Sequence, residues 1–348
     1  LESHIANIYK ILNDENTRYK DAKEIAKEIN KFIKDNNHDP DKIFNWFFSD
    51  DEQQHQNINP EYYFLIGFLC EWGIGTASSM KDSFYWYHLA AECIKDDPVV
   101  YNQVGYCYSK GFGVRQNHEL AFLYFQKSAE LRYAPGQKNL ANCYANGLGT
   151  KTDLQKSLQL YQESAQAAYY QSALTLARYL SADTESQENQ EKSFDWIRIA
   201  AYDSYPPAQT ELGLYYLKSS NKVKEAATWF KLAAENGEPC GQVLYARFTR
   251  DSTEKFTYFK KAAGTGNMEG LVKLGDCYRM GIGTRINLFK AMRCFLKVAE
   301  KNGNDFDTYV TLAYHFSLGM GCPKDLHKTI RYYHKNPVNI MNHLERLF

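Results

Sequence analysis

The chain is 348 residues long and carries 41 Lys and Arg against 41 Asp and Glu, so it is formally neutral at pH 7. Neutrality argues against a nucleic-acid binder driven by counterion release and against a polybasic membrane-surface protein. No run approaches the roughly 18 apolar residues that cross a bilayer, and the sequence opens at Leu1 without a basic-then-apolar leader, reading as a fragment or processed piece of a longer chain.

Arg18 to Asn36 has the pattern of an amphipathic helix, with Ala22, Ile25, Ala26, Ile29, Phe32 and Ile33 at helical spacing. Asp41 to Ser49 predicts a shorter helix around Ile43, Trp46 and Phe47, and the polar stretch Asp50 to Pro60 a loop. From about residue 60 the sequence repeats itself. Gly-x-Gly loops stand at Gly73-Ile74-Gly75, Gly111-Phe112-Gly113, Gly147-Leu148-Gly149, Gly281-Ile282-Gly283 and Gly319-Met320-Gly321. The steps between their first glycines are 36 to 38 residues, with one gap of 134 that leaves room for three units without the glycines.

Helical columns fill that gap. An apolar residue followed by a small one recurs at Ile66-Gly67, Val104-Gly105, Leu140-Ala141, Leu176-Ala177, Leu212-Gly213, Leu274-Gly275 and Leu312-Ala313. Leu244-Tyr245 is read as the sixth member, breaking the small-residue rule. Four positions on stand Cys70, Tyr108, Tyr144, Leu180, Tyr216, Phe248, Tyr278 and Phe316, on the same helix face. A second helix follows each loop, with large residues and then small ones, as in Trp86-Tyr87 with Ala90-Ala91, Tyr124-Phe125 with Ser128-Ala129, and Trp229-Phe230 with Ala233-Ala234. Alternating bulk lets two helices interdigitate closely. The expected architecture is all-α: a solenoid of about eight helix-turn-helix repeats over residues 60–335. Residues 1–59 would be N-terminal capping helices, with an independent module as the alternative, and 336–348 a C-terminal cap or tail.

The string Leu-Gly-x-x-Tyr-x-x-Gly-x-Gly, followed by Ala-x-x-x-Phe-x-Lys-x-Ala-Glu, stands as Leu274, Gly275, Tyr278, Gly281, Gly283, Ala291, Phe295, Lys297, Ala299 and Glu300. Gly105, Tyr108, Gly111, Gly113, Ala121, Phe125, Lys127, Ala129 and Glu130 follow the same pattern. This resembles the Sel1-like repeat, a relative of the tetratricopeptide repeat, over about four-fifths of the chain; units four to six depart from it by losing the glycine loop and shortening. The resemblance implies a right-handed α/α superhelix acting as a non-enzymatic adaptor, its first helices lining a concave face that holds a protein or peptide. A regulatory or targeting region of a larger signalling protein, such as a kinase-like one, is the alternative. A further one is a β-lactam-binding hydrolase, but the penicillin-binding branch has a disulfide in each repeat, a pattern this chain lacks.

Little else in the sequence points to chemistry. Ser78 to Lys81, Ser219 to Lys222 and Ser252 to Lys255 form Ser-x-x-Lys strings, all read as interhelical loops and without Lys-Thr-Gly or Ser-Asp-Asn companions. Cys107-Tyr108-Ser109-Lys110-Gly111 lacks the first glycine of a nucleophile elbow. His327 and His334 have no third ligand nearby, so no metal and no cofactor is expected. The eight cysteines form no Cys-x-x-Cys pair and read as reduced core residues, which with the absence of an Asn-x-Ser/Thr sequon indicates the cytoplasm. The endoplasmic reticulum lumen or secretion is the alternative if a leader has been removed.

Residues two after the Leu column lie about 200° around the helix and should face outward, with those one before it nearby. The candidate partner-binding residues are therefore Phe68, Gln103, Tyr106, Asn139, Asn142, Thr175, Arg178, Glu211, Lys273, Asp276, Thr311 and Tyr314. Tyr and Arg are frequent binding hot spots. Protein or peptide is the expected partner, with neither nucleic acid nor membrane insertion, and the sequence leaves the oligomeric state open.

Overall fold

In the computed structural model the described residues are 2–13, 22–48, 58–183, 185–218, 222–301 and 306–334, and among them every regular element is helical. The chain divides into two compact units, Leu1–Ala182 and Asp183–Phe348. The first holds α1 (Glu2–Asn13), α2 (Ala22–Asp35), α3 (Pro40–Trp46), α4 (Tyr63–Trp72), α5 (Met80–Cys93), α6 (Pro98–Lys110), α7 (His118–Glu130), α8 (Ala134–Asn146), α9 (Leu154–Gln166) and α10 (Tyr170–Ala182). The second holds α11 (Gln187–Tyr202), α12 (Pro206–Lys218), α13 (Val223–Glu235), α14 (Pro239–Phe248), α15 (Ser252–Gly264), α16 (Met268–Met280), α17 (Leu288–Lys301), α18 (Phe306–Leu318) and α19 (Leu326–His334). Successive helices pack in pairs within each unit, an α-solenoid arrangement. Helices α10 to α15 fill the glycine-poor gap, and residues 336–348 lie outside the described residues.

The pairs hold together by a ring seated on a missing side chain. Tyr87, Phe125, Phe230 and Phe295 on second helices are buried against Gly67, Gly105, Gly213 and Gly275 on first helices. A Cβ at Gly213 or Gly275 would come within 2.6 Å of the facing ring. The small member of each column thus brings two helices to contact distance, burying a large aromatic area.

Both loop glycines have a reason. Gly111 caps α6 in the left-handed region, at φ 73, with its N–H on the Cys107 carbonyl. Gly113 (φ 69) lies so close to the first turn of the preceding second helix that a Cβ there would overlap the carbonyl oxygen of Met80. Gly149 on His118, Gly283 on Ser252 and Gly321 on Leu288 repeat this seating. Gly75 is seated the same way on Pro40, with Phe44 below it where Phe84 lies below Gly113. α3 therefore stands in the position of a second helix of a repeat that precedes α4.

The N-terminal helices share one core with the first repeats: Ile5, Ile8, Ile29, Ile33 and Ile43 lie in the same cluster as Leu65, Ile66 and Tyr87. α2 and α3 fall on the two helices expected there, whereas α1 was not anticipated. In the sixth unit the register differs by one residue from the reading Leu244-Tyr245. Gly241 packs on Ala233 as Gly270 packs on Ala262, four residues ahead of Leu274. The column residue is thus Tyr245, and Ala246, wholly buried with Tyr258 and Phe259, keeps the small-residue rule. It does not face outward as its assumed register implied.

Candidate interaction surface

The first helices present the candidate face, and a ladder of side-chain hydrogen bonds crosses it. Glu71, at the end of α4, accepts from the Tyr87 hydroxyl at 2.8 Å and from Gln103 Nε2 of the next repeat at 3.1 Å. Asn139 Nδ2 donates to Asn102 Oδ1 at 2.8 Å, again between neighbouring repeats. Asn142 Oδ1 accepts from the buried Tyr161 hydroxyl at 2.5 Å, and Thr175 Oγ1 donates to the Gln171 carbonyl at 2.8 Å. In the second unit Asp276 holds both Arg279 at 2.8 Å and Lys273 at 3.8 Å. Glu71 with Gln103 and Asn102 with Asn139 join neighbouring repeats, whereas the Asn142, Thr175 and Asp276 contacts lie within one pair or one helix; a half-buried donor or acceptor left unpaired would be costly.

Phe68 is not on a groove. It is 4% exposed and belongs to the core cluster that the first repeat shares with residues of α1 to α3. Glu211 and Thr311 are half-buried. Tyr106, Arg178 and Tyr314 are exposed, and Tyr106 meets the loop residue Phe112 edge-on, with ring centroids 5.7 Å apart.

Two charged groups were missed by sequence reasoning. Burial pushes the Glu71 carboxyl above its ordinary range, against the opposing pull of its two hydrogen bonds. Lys138 is half-buried on α8, its ammonium held below the usual lysine value by burial and then by the Lys110 charge. A charged residue inside an otherwise apolar or neutral helix was the available signal for both.

Features that suggested chemistry have structural partners. Ser78 Oγ donates to the Glu71 carbonyl at 2.8 Å. Ser252 and Lys255 lie in the first turn of α15 rather than in a loop, because Asp251 caps that helix through the Thr253 and Glu254 N–H groups. Ser219 lies outside the described residues. All eight cysteines are unpaired; burial pushes the Cys107 thiol up to about 12 and those of Cys70, Cys143 and Cys277 to about 11. Among the described residues no group of three or more His, Cys, Asp or Glu could hold a metal ion, and no helix is long and apolar enough to cross a membrane.

Comparison with known families decides what these pairs are. The Sel1 repeat matches residues 60–93, 98–133, 134–169, 176–205, 206–238, 269–303 and 311–335. The chain belongs to the Sel1 repeat family. Six of the seven Sel1 matches fall on helices that pack as pairs, while 176–205 takes in the end of α10 in the first unit and α11 in the second; the unmatched stretch between 238 and 269 holds α14 and α15, which also pack as a pair. Among solved Sel1-type structures, a protective antigen of uropathogenic Escherichia coli displaying an SLR fold is 22% identical, with a TM-score of 0.60 over 98% of this chain and 77% of that one. A Sel1 repeat protein from Oxalobacter formigenes is 23% identical, with a TM-score of 0.58 over 83% of this chain and 88% of its own. An uncharacterized protein of Neisseria meningitidis serogroup B is 33% identical over 111 residues, 30% of this chain but only 23% of its own length.

Proposed function

We propose that this chain is a non-enzymatic scaffold that holds a protein or peptide partner on the outward face of its first helices. Sel1-type solenoids generally mediate protein–protein interaction. One observation supports the finer reading: in the first unit Tyr106, braced by Phe112, and Arg178 are exposed on first helices, two of whose repeat junctions are joined by Glu71–Gln103 and Asn102–Asn139 hydrogen bonds. An exposed ring and a guanidinium on a rigid backing have the composition of a binding hot spot with little ordering entropy left to lose. The engaged serines and protonated buried thiols support a role without catalysis, and eight unpaired cysteines support a reducing compartment such as the cytoplasm.

The test is partner recovery from native lysate by wild type and by a Tyr106→Ala, Arg178→Ala variant whose helicity is checked by circular dichroism. Partners recovered by wild type and lost by the variant are expected. Equal recovery by both would refute this face as the binding surface.

A further inference from the structure

The second helices differ in charge along the chain. α5, α7, α9, α11 and α13 each carry at least as many carboxylates as cations. α17 carries Lys290, Arg293, Lys297 and Lys301 against Glu300 alone. At about 100° per residue these four cations fall within roughly 80° of one another around the helix, forming a straight stripe about 16 Å long. The opposite side of α17, with Ala291, Phe295 and Val298, is buried in the repeat core.

All four cations are exposed, and among the described residues none has an ion-pair partner. Lys301 reaches Gly266 in the turn after α15, its ammonium 3.6 Å from where a Cβ would stand, so the stripe runs on towards the exposed Lys260 and Lys261. At its other end Phe289 and Ile286 are 61% and 66% exposed. Like charges three and four residues apart destabilise a helix, so four cations with only Glu300 beside them make α17 less stable unless an anionic surface meets it.

We propose that the stripe on α17 binds an acidic segment of a protein partner, its carboxylates on Lys290, Arg293, Lys297 and Lys301 and an apolar side chain against Phe289 and Ile286. This site goes beyond the first-helix reading and is independent of it. Single-stranded nucleic acid would need a row of aromatic platforms, and the stripe has one exposed ring. A bilayer would need the apolar face of the helix, and that face is already buried.

The test is fluorescence anisotropy with a labelled Glu-rich peptide of about 12 residues bearing a central Leu-Phe, long enough to follow the stripe in helical or extended form. Wild type is expected to bind it with an affinity that falls as salt rises, and Arg293→Glu with Lys297→Glu to weaken binding roughly tenfold or more. Arg293→Lys is expected to retain binding, as is a charge-reversal control on α13, Lys224→Glu with Lys231→Glu. Equal binding by the α17 reversal variant would overturn the proposal. So would preference of wild type for phosphatidylserine vesicles or for single-stranded RNA over the peptide. The Tyr106→Ala, Arg178→Ala variant should bind this peptide unchanged, which separates failure of this site from failure of the first-helix face.

Discussion

Replacing Gly105 by Ala tests the seating of rings on small residues most directly. The added Cβ would lie 2.8 Å from Cδ1 and Cε1 of Phe125 and 3.3 Å from the Ala121 carbonyl oxygen. The ring has nowhere to go: Phe125 is 3% exposed and walled by Leu140 and Cys143. Overpacking of this kind costs about 1–3 kcal/mol, while Ala gains about 1 kcal/mol over Gly inside a helix. The expected net loss is therefore about 0–2 kcal/mol, where an unhindered Gly→Ala would instead gain about 1 kcal/mol. Phe125→Leu alone leaves a small cavity and should cost about 1–1.5 kcal/mol. The double variant should lose less than the sum, with a coupling of about 1–2 kcal/mol, because the branched chain leaves room for the methyl. Urea unfolding followed by circular dichroism reads these differences as midpoint shifts, compared at a common slope because repeat arrays depart from two-state behaviour. A Gly105→Ala that stabilises by about 1 kcal/mol, or strict additivity in the double variant, would refute the tight contact.

The two loop glycines should differ in tolerance. Gly111→Ala meets nothing closer than Gln116 Cβ at 3.4 Å and should cost only the left-handed penalty of about 1–2 kcal/mol, whereas Gly113→Ala also overlaps backbone and should cost clearly more; equal Tm shifts would contradict this. Because the folded-state carboxyl of Glu71 is raised, the unfolded chain gives up its proton first as pH rises. Stability should therefore fall from the ordinary glutamate range up through the raised value, and Glu71→Gln should remove that part of the urea-midpoint pH profile. Parallel profiles for the two proteins would count against it. In native protein a maleimide should modify the exposed Cys93 and Cys240 first and leave Cys107, buried and pushed up to about 12, untouched until denaturation; mass spectrometry showing early Cys107 labelling would overturn this.

The repeat was legible because its marks are local. Ile66, Val104 and Leu212 recur with a small neighbour and a fixed i+4 partner, and Gly111 announces a helix end by itself. What failed was whatever depends on the neighbour. Leu244 and Tyr245 are both apolar, so the register is fixed by packing, of Gly241 on Ala233 and of Ala246 in one cluster with Tyr258 and Phe259. Phe68 has the periodicity of an outward residue, and its burial in the cluster shared with α1 to α3 is a tertiary fact its own helix does not announce. Asn142 shows no sign in sequence that Tyr161, nineteen positions away, will need its oxygen. α1 was within reach, since Ile5, Ile8 and Leu12 keep helical spacing and lie in the core.

The seating of Gly113, Gly149, Gly283 and Gly321 on the first turn of the preceding second helix makes each such loop a length gauge. A unit carrying it meets its predecessor at one distance set by backbone against backbone, whatever the side chains around it. Whole units can be added or removed beside such a loop without retuning the rest, since each brings its own spacer. Between α12 and α15, where the loops carry no such glycine pair, neighbouring helices meet instead through Gly241 on Ala233 and through the Thr210–Glu238 and Asn236–Gln209 hydrogen bonds. Substitutions at those contacts should alter how α12 to α15 pack on one another, where a glycine-gauged loop would hold the distance fixed.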